Sequence, residues 1–326
     1  MTSTSWPRVA VVGAGAVGGY FGGMLARAGA PVTLVGRAAH VDVWTRDGLF
    51  LDSANFQAHI PVAASTDIAA SADAELVLFC VKSPDTEETA RQLARHVRAD
   101  TLIVSLQNGV DNVERIRAAA SLDPIAAVVY VASSMPAPGH VKHGGRGDLL
   151  IGDLPGRVRP ARDEALRRVS GWFEAAGVPC RMPADIQADL WTKLIANVGL
   201  NAISAVVRAT YGDIVALPEP RETIRQLVEE CVAVARAGGV ALPAVDFVEM
   251  VCRFAEAVGP IYSSTSQDLD RGKRTEIDAL NGFVVRRGAE LGVPTPVNQA
   301  LVALVKLREA QLAHAPASQQ AQRSAL

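Results

Sequence analysis

The chain has 326 residues, of which 49% are hydrophobic and 20% are charged. This length allows two domains, because single hydrophobic cores rarely grow beyond about 250–300 residues. The 32 basic and 34 acidic side chains leave a formal net charge of −2, which argues against a nucleic-acid or membrane-surface partner. No apolar run approaches the roughly 18 residues of a membrane span, and the N-terminus lacks the pattern of a signal peptide. We therefore expect a cytoplasmic protein.

Four cysteines are present, and none has a partner at the spacing of a metal site. They are Cys80, Cys180, Cys231 and Cys252. Such scattered cysteines predict neither a zinc site nor a disulfide framework. We expect no metal in the functional site.

Short apolar runs alternate with helical or loop segments through the first half of the chain. The runs span residues 8–12, 32–35, 76–81, 102–105 and 125–131. This alternation predicts βαβ units and a doubly wound parallel sheet, the Rossmann-type α/β fold. Residues 135–154 contain five glycines and two prolines, which predict loops and short antiparallel strands at the sheet edge. A helix over residues 163–176 and a short strand near residues 180–182 follow.

After Pro183 the strand signals end and only helical patterns remain. The predicted helices span residues 185–207, 220–238, 244–258, 274–291 and 297–312. We therefore predict a Rossmann domain over residues 1–182 and an all-helical domain over residues 183–313. Residues 314–326 are polar and are expected to form a frayed tail.

A glycine-rich turn connects the first predicted strand to an amphipathic helix. Its residues are Gly13, Ala14, Gly15, Ala16, Val17 and Gly18. In such a turn the first glycine permits a tight bend, the second lets the backbone approach a pyrophosphate, and the third packs helix against strand. The helix N-terminus offers N–H groups to the phosphates. In this strand–turn–helix context the pattern favours a dinucleotide site over an ordinary crossover.

The end of the second strand indicates which dinucleotide binds. NAD sites place an acidic residue there for the ribose 2′-hydroxyl, whereas this chain has Arg37 and no carboxylate before Asp42. An arginine at this point suits the 2′-phosphate of NADPH, although Arg37 as a solvated surface charge is the alternative. Lys82, just past the third strand, adds a second cation at the same edge unless it is a plain surface lysine.

Asn108 follows the fourth strand, at the carboxyl edge of the sheet. It either hydrogen-bonds a ribose hydroxyl or substrate oxygen, or forms an Asn-Gly turn with Gly109. The spacing leaves both interpretations open.

The second half of the chain contains a polar stripe on an otherwise apolar helix. Lys193, Asn197 and Asn201 recur every four residues, so they lie on one side of the helix over residues 185–207. Such groups are costly to bury without partners or a wet cleft, which favours a site over a polar stripe at a domain interface. A partly desolvated lysine is suited to act as a general acid, and reduction of a ketone requires one.

Further downstream, Glu276 is expected at the start of a helix, where it is a candidate to hold Lys193. Ser263 and Ser264 are candidates to hold a substrate carboxylate. Taken singly, these residues are ordinary helix-start and loop residues.

Taken together, these pieces resemble the ketopantoate reductase family (2-dehydropantoate 2-reductases) along nearly the whole chain. The matching segments are the glycine turn, Leu34–Arg37, Val81–Lys82, Gln107–Gly109, Asp189–Leu194 with Asn197 and Asn201, Ser263–Ser264 with Gln267–Asp268, and Thr275–Gly282. The resemblance implies a Rossmann domain followed by a helical domain of the 6-phosphogluconate dehydrogenase C-terminal type, with the active site in the cleft between them. It implies NADPH-dependent reduction of 2-dehydropantoate to (R)-pantoate, a step of pantothenate and coenzyme A synthesis.

The resemblance also implies individual roles. Lys193 is the general acid and Glu276 anchors both the substrate and the lysine. Asn197, Asn201 and Ser264 bind the carboxylate and hydroxyl groups of the substrate, and Asn108 sits by the nicotinamide ribose and substrate. Relatives occur as monomers and homodimers.

The chain departs from the family pattern next to these residues. Ile261 and Tyr262 precede the serines, and Thr265 and Ser266 replace a more apolar pair. These positions border the substrate pocket in the family, so a paralogous D-2-hydroxyacid dehydrogenase for another branched or aromatic 2-oxo acid is the second interpretation. A non-catalytic NADPH sensor is the third, and the retained Lys193 and Glu276 argue against it.

Overall fold

A computed structural model describes residues 5–154 and 160–313. The chain divides into two compact units, Met1–Asp189 and Leu190–Leu326. The predicted tail over residues 314–326 lies outside the described residues.

One sheet organises the first unit and contains, within the described residues, ten strands. The strands are β1 (Val9–Val12), β2 (Val32–Val35), β3 (Leu49–Ser53), β4 (Phe56–Ile60), β5 (Ala63–Ser65), β6 (Leu76–Phe79), β7 (Leu102–Ser105), β8 (Ile125–Ala137), β9 (His140–Gly152) and β10 (Cys180–Arg181). Their order is β4-β3-β9-β8-β7-β6-β1-β2-β5, and β10 pairs with β9. The six strands from β8 to β5 are mutually parallel.

Helices cover both faces of this parallel region. They are α1 (Ala16–Arg27), α2 (Ala38–Asp47), α3 (Thr86–Leu93), α4 (Asn112–Ala120) and α5 (Pro160–Ala175). Alternate residues of β1 show the two layers, because Val11 packs in the core with α1 and α5 whereas Ala10 packs with α3 and α4. Burial of both faces explains why the parallel strands are continuous apolar runs. The predicted Rossmann-type doubly wound domain is confirmed.

The far side of the sheet differs from the prediction of loops and short strands over residues 135–154. The strands β8 and β9 form a long antiparallel hairpin of 13 residues each, and β9 also pairs in parallel with β3. Its glycines do not end the strand: Gly139 forms the turn with φ +73°, and Gly145 and Gly147 take positive φ beside register shifts. Bulges therefore absorb residues that a sequence pattern treats as strand breakers.

Helices alone form the second unit, within its described residues, as predicted. They are α6 (Ile186–Val207), which begins in the first unit, α7 (Tyr211–Val215), α8 (Pro218–Ala237), α9 (Phe247–Val258), α10 (Ser264–Asp270), α11 (Asn281–Leu291) and α12 (Pro296–Ala313). The short helices α7 and α10 were not predicted.

One helix is shorter than predicted. The helix expected over residues 274–291 starts only at Asn281, so Glu276 lies in a turn before the helix rather than at its start. Two bonds to side chains hold the turn: the Thr275 N–H donates to distant Glu309 Oε1 at 2.7 Å, and the Ile277 N–H donates to Thr275 Oγ1 at 3.3 Å. Such bonds compete with helix formation.

The 22-residue helix α6 corrects the expectation about apolar runs. One stretch of it reaches a mean hydropathy of 1.4, long and apolar enough by composition to cross a membrane. However, 67% of that stretch is buried inside the protein. This burial is typical of a core helix.

Candidate active site

The first glycine of the turn sits where the two halves of the parallel sheet diverge. Gly13 adopts φ +79°, and a Cβ placed on it would lie 2.7 Å from the Val81 nitrogen and 2.8 Å from its Cα. The Gly13 N–H donates to the Val35 carbonyl at 3.1 Å. The turn after β1 therefore packs closely between the ends of β2 and β6. This is the topological switch point at which α/β sheets bind ligands.

The other two glycines of the motif have different surroundings. A Cβ on Gly15 would meet nothing closer than the Gly13 carbonyl oxygen at 3.9 Å, whereas a Cβ on Gly18 would lie 2.7 Å from Val11 Cγ1 and 3.1 Å from Cys80 Cβ. Gly18 thus lets α1 pack directly on the sheet. Gly15 leaves its backbone accessible from the open side of the turn.

The N-terminus of α1 presents backbone donors to that open side. Gly15 is the N-cap, it provides no side-chain cap, and the first turn contains no acidic residue. Within the described part of the chain, the N–H groups of Ala16, Val17 and Gly18 have no hydrogen-bond acceptor. Unsatisfied donors at the positive end of a helix form an anion-binding site.

Arg37 lies two residues past the end of β2, the strand next to this turn. It is exposed and is the N-cap of α2, and the first turn of that helix has no acidic residue. Among the residues that the structure describes, its guanidinium takes part in no ion pair or hydrogen bond. The donor fork of Arg37 is thus available beside the glycine turn.

The predicted residues Lys82 and Asn108 lie in neighbouring loops at the same edge of the sheet. Both are half-buried. Ser83, next to Lys82, donates through Oγ to the Asn108 carbonyl at 3.3 Å, and Gln107 Nε2 donates to the Val81 carbonyl at 3.0 Å. The loops after β6 and β7 are therefore joined to each other and, through Val81, to Gly13.

Gln107 and Gly109 set the conformation of the loop after β7. Buried Gln107 also donates to Thr86 Oγ1 at 2.8 Å, a tie that no sequence pattern indicated. Gly109 has φ +101°, and the chain bends at residues 108–110. This bend lies just past β7 and keeps Asn108 at the carboxyl edge, so the two interpretations of this residue are compatible.

In the second unit, the polar stripe of α6 consists of Lys193, Asn197 and Asn201, as the sequence predicted. Lys193 and Asn197 are half-buried and Asn201 is 3% exposed. The residues between them, such as Leu194 and Val198, belong to the buried core. A cationic and two amide groups on such a helix need polar contacts that an apolar core does not supply.

Asn201 belongs to a buried hydrogen-bonded cluster. Its Oδ1 accepts from the Tyr211 hydroxyl at 2.9 Å, and its carbonyl accepts from Ser263 Oγ at 3.1 Å. The Ser263 N–H donates to Ser204 Oγ at 3.1 Å. These bonds attach the N-terminus of α10 to α6. Sequence reasoning missed Tyr211, because it lies ten residues beyond Asn201 in a helix that was not predicted.

The two candidate serines have different environments. Ser263 is fully buried, and its Oγ caps α10 by accepting from the Ser266 N–H at 3.0 Å. It is a structural residue, which corrects its candidacy as a substrate ligand. Ser264 is exposed at the first position of α10 and stays a candidate.

The segment that carries Glu276 runs antiparallel along α6. Ile277 packs with Ala202, Asn281 Nδ2 donates to the Val198 carbonyl at 3.2 Å, and Phe283 contacts Trp191 at 5.7 Å between ring centroids. Glu276 is half-buried at the Asn201 end of this path. The structure thus brings its segment to the same helix as the stripe, while the anchoring of Lys193 by Glu276 stays a prediction.

Residues 5–154 and 160–313 contain no group of three or more His, Cys, Asp or Glu side chains in an arrangement that would hold a metal ion. The four cysteines are free thiols.

Comparison with known proteins identifies the family. Residues 9–156 match the family model Ketopantoate reductase PanE/ApbA, and residues 185–309 match its companion, Ketopantoate reductase PanE/ApbA C terminal. The chain belongs to the ketopantoate reductase family. It is 33% identical over 305 residues to the 2-dehydropantoate 2-reductase of Halobacterium salinarum, an alignment that covers 93% of this chain and 99% of the relative.

Solved structures of the ketopantoate reductase family have the same architecture. A PanE/ApbA family ketopantoate reductase from Ralstonia eutropha JMP134 shares 45% identity with a TM-score of 0.87, covering 94% of this chain and 99% of the other. The 2-dehydropantoate 2-reductase of Geobacter metallireducens GS-15 shares 28% identity with a TM-score of 0.85, covering 92% and 99%. D-mandelate dehydrogenase has a TM-score of 0.85 at 22% identity, with coverage of 94% and 99%. That last likeness concerns the fold.

Proposed function

We propose that this member of the ketopantoate reductase family is an NADPH-dependent reductase of a 2-oxo acid. The first candidate substrate is 2-dehydropantoate, which it would reduce to (R)-pantoate for pantothenate and coenzyme A synthesis. The observation that carries the proposal is the polar stripe of α6, which places one cation and two amide groups on one side of an otherwise apolar helix. We retain residues 1–182 as the cofactor domain and residues 183–313 as the substrate domain.

The first unit fits a dinucleotide with a 2′-phosphate. The backbone N–H groups of Ala16, Val17 and Gly18 are suited to the pyrophosphate, which the open side of Gly15 leaves room to approach. Arg37 follows β2, where NAD sites have an acidic residue, and its fork of donors suits a phosphate. Lys82 adds positive charge at this edge, and Asn108, in the neighbouring loop, is the candidate to bind ribose or substrate.

Lys193 is assigned the role of general acid. When bound, NADPH would be the source of the hydride for the C2 carbon of the ketone. The electron pair of the carbonyl bond then moves onto the oxygen, and the Lys193 ammonium donates the proton that completes the 2-hydroxy acid. Partial desolvation of an ammonium favours this proton transfer.

The remaining residues of the second unit hold the substrate in this proposal. Asn197 and Asn201 donate from their amide groups to carboxylate or hydroxyl oxygens, and exposed Ser264 adds a hydroxyl. Glu276 accepts from the substrate or from Lys193. An anionic substrate with several oxygens is consistent with this set of donors.

A second candidate is a D-2-hydroxyacid dehydrogenase for another branched or aromatic 2-oxo acid. It is favoured by the apolar side chains next to Tyr211. The centroid of the Phe254 ring lies 6.0 Å from that of the Tyr211 ring, and the Tyr211 N–H donates to the Ile261 carbonyl at 2.9 Å. Phe254 is 41% exposed and Ile261 is 42% exposed. Such surfaces suit a bulky apolar substituent.

A steady-state assay distinguishes the two candidates. NADPH oxidation is measured with 2-dehydropantoate and with a panel of branched and aromatic 2-oxo acids. We expect the highest kcat/KM with 2-dehydropantoate, and activity restricted to the other acids would replace the first candidate by the second.

Lys193→Ala should lower kcat by about 10²–10⁴-fold, the usual contribution of a general acid. Unchanged turnover would remove Lys193 from the mechanism.

Location and assembly are further parts of the proposal. Four free thiols suit a reducing compartment, which supports the cytoplasm. The expected assembly is a monomer or a homodimer, and light scattering after gel filtration measures it. A larger particle would contradict this expectation.

A further inference from the structure

We propose that Tyr211 is a positioning residue that sets the orientation of the Asn201 amide toward the substrate. The inference rests on the proposed function, in that Asn201 binds the 2-oxo acid. It assigns a task to a side chain that no motif singled out. Tyr211 acts through Asn201 and does not itself contact the reacting atoms.

The geometry of the pair supports this task. Asn201 is 3% exposed and Tyr211 is 8% exposed, and the Tyr211 hydroxyl donates to Asn201 Oδ1 at 2.9 Å. Burial raises the pKa of Tyr211 well above its ordinary value of 10, so its hydroxyl keeps its proton. A buried donor with its proton in place selects an acceptor, which here is the carbonyl side of the amide.

The bond to Tyr211 also fixes the position of the NH₂ group of Asn201. An asparagine side chain has one acceptor oxygen and an NH₂ group with two donors. Because the Tyr211 hydroxyl makes no other hydrogen bond among the described residues, rotation of the amide by half a turn would leave the hydroxyl proton without an acceptor. Nδ2 has no hydrogen-bond acceptor among the residues that the structure describes. The amide therefore presents donors, which match a carboxylate, keto or hydroxyl oxygen of the substrate.

Tyr211 is itself held firmly enough to act as a support. Its helix starts with a capping box, in which Thr210 accepts from the Asp213 N–H at 3.2 Å and Asp213 accepts from the Thr210 N–H at 3.0 Å. The Gly212 N–H donates to the Gly259 carbonyl at 2.8 Å. Together with the bond from the Tyr211 N–H to Ile261, this joins α7 to the loop that leads to Ser264. Asn201 and Ser264 are thus held by one network.

A double-mutant cycle tests the inference. Tyr211→Phe keeps the ring and removes the donor, and Asn201→Ala removes the amide. Tyr211→Phe should raise KM for the 2-oxo acid about 3- to 12-fold, the range that one net hydrogen bond corresponds to, with kcat and the Kd of NADPH within about 2-fold. In the Asn201→Ala background the same change should move KM by less than about 2-fold.

Two further variants separate positioning from stability. Ser170→Ala removes a hydroxyl from the first unit, where Ser170 Oγ donates to the Cys180 backbone carbonyl at 2.7 Å, and should lower Tm without changing KM. Asn201→Asp keeps an acceptor for Tyr211 but has no donor, so it should raise KM at least as much as Tyr211→Phe. Equal KM effects of Tyr211→Phe in the two backgrounds, or no effect in either, would overturn the inference.

A measurement that does not need turnover tests the inference even if the protein has no reductase activity. If the protein reduces no 2-oxo acid, the proposed function fails, and the orientation is then read from the side-chain NH₂ signals of ¹⁵N-labelled asparagine. The Asn201 pair is identified by its loss in Asn201→Asp. A shift of that pair in Tyr211→Phe supports the positioning role, and an unchanged pair overturns it.

Discussion

Two substitutions in the glycine turn should separate cofactor binding from folding. Gly15 and Gly13 are two residues apart, but their surroundings differ. A Cβ on Gly15 has nothing closer than 3.9 Å, whereas a Cβ on Gly13 would lie 2.7 Å from a backbone nitrogen of Val81 in a residue with φ +79°. We therefore expect Gly15→Ala to affect NADPH and Gly13→Ala to affect stability.

The magnitudes follow from these contacts. Gly15→Ala replaces a good N-cap residue by a poor one, which costs about 0.5–1 kcal/mol and lowers Tm by roughly 1–4 °C in a protein of this size. Gly13→Ala adds left-handed strain of about 1–2 kcal/mol and overpacking of about 1–3 kcal/mol. Because the overlap at Gly13 is with backbone, little relaxation is available. The drop in Tm should therefore be several times that of Gly15→Ala.

The effect on the cofactor should be reversed relative to the effect on folding. A methyl group at Gly15 enters the space through which a pyrophosphate would approach the N–H groups of α1. Overpacking of about 1–3 kcal/mol corresponds to an increase of roughly 5- to 150-fold in the Kd of NADPH. The increase should appear at a temperature where the variant is fully folded.

Fluorescence titration with NADPH and thermal unfolding followed by circular dichroism measure both quantities. Added NADPH should raise the Tm of the unmodified protein and raise that of Gly15→Ala much less. Wild-type affinity in Gly15→Ala would show that no phosphate passes this residue. Equal stability of the two variants would refute the argument from the Val81 contact.

Three further predictions concern cofactor choice, core stability and alkaline pH. Arg37→Ala should weaken NADPH far more than NADH in fluorescence titrations, whereas Arg46→Ala, on the same helix, should affect both equally little. Glu230→Ala removes the acceptor of three hydrogen bonds at the start of α12 and should lower the free energy of unfolding in urea by about 2–4 kcal/mol. Burial raises the pKa of Cys180 to about 12 and that of Cys231 above its ordinary range. Because the unfolded chain releases these protons above about pH 8.5, stability is fully present below that pH and should fall above it, by about 1.4 kcal/mol per pH unit and thiol.

The contrary outcomes are equally specific. Equal losses of NADPH and NADH affinity in Arg37→Ala would mean that Arg37 does not bind the 2′-phosphate. Glu229→Ala is the matched control for Glu230, because Glu229 only pairs with Arg225 on the surface and should change stability by at most about 1 kcal/mol. A flat stability profile between pH 8.5 and 10 (about the range in which exposed thiols ionise) would contradict the argument for Cys231.

Local signals made the first part of the fold predictable. The strand before Gly13 and the helix after Gly18 are adjacent in sequence, so the turn and its position at the sheet edge follow from a short window. The hairpin of β8 and β9 was harder to predict, because Gly145 and Gly147 are accommodated by bulges and because His140–His143 of β9 pair with β3, about ninety residues away. Distant pairing of this kind leaves no periodic pattern in a single segment.

The same distinction holds in the candidate site. Spacing of four residues sufficed to place Lys193, Asn197 and Asn201 on one stripe. Glu276 was expected at the start of a helix and lies in a turn. The Thr275 N–H that holds this turn donates to Glu309, 34 positions away, so no pattern within the segment indicates the turn. Tyr211 carried no signal, because its importance depends on the three-dimensional contact with Asn201.

Groups left without an internal partner indicate the chemistry of the ligands. A folded chain normally satisfies its buried polar groups, so an unpartnered group among the proposed binding residues is a candidate contact for a ligand. Within the described residues, the first N–H groups of α1, the exposed guanidinium of Arg37 and Nδ2 of Asn201 make no internal hydrogen bond. These groups are donors, so the molecules that they suit are rich in acceptor oxygen and negatively charged. A phosphorylated dinucleotide and an acid with a second oxygen function both meet that description, which is why the proposed cofactor and the proposed substrate class agree with each other.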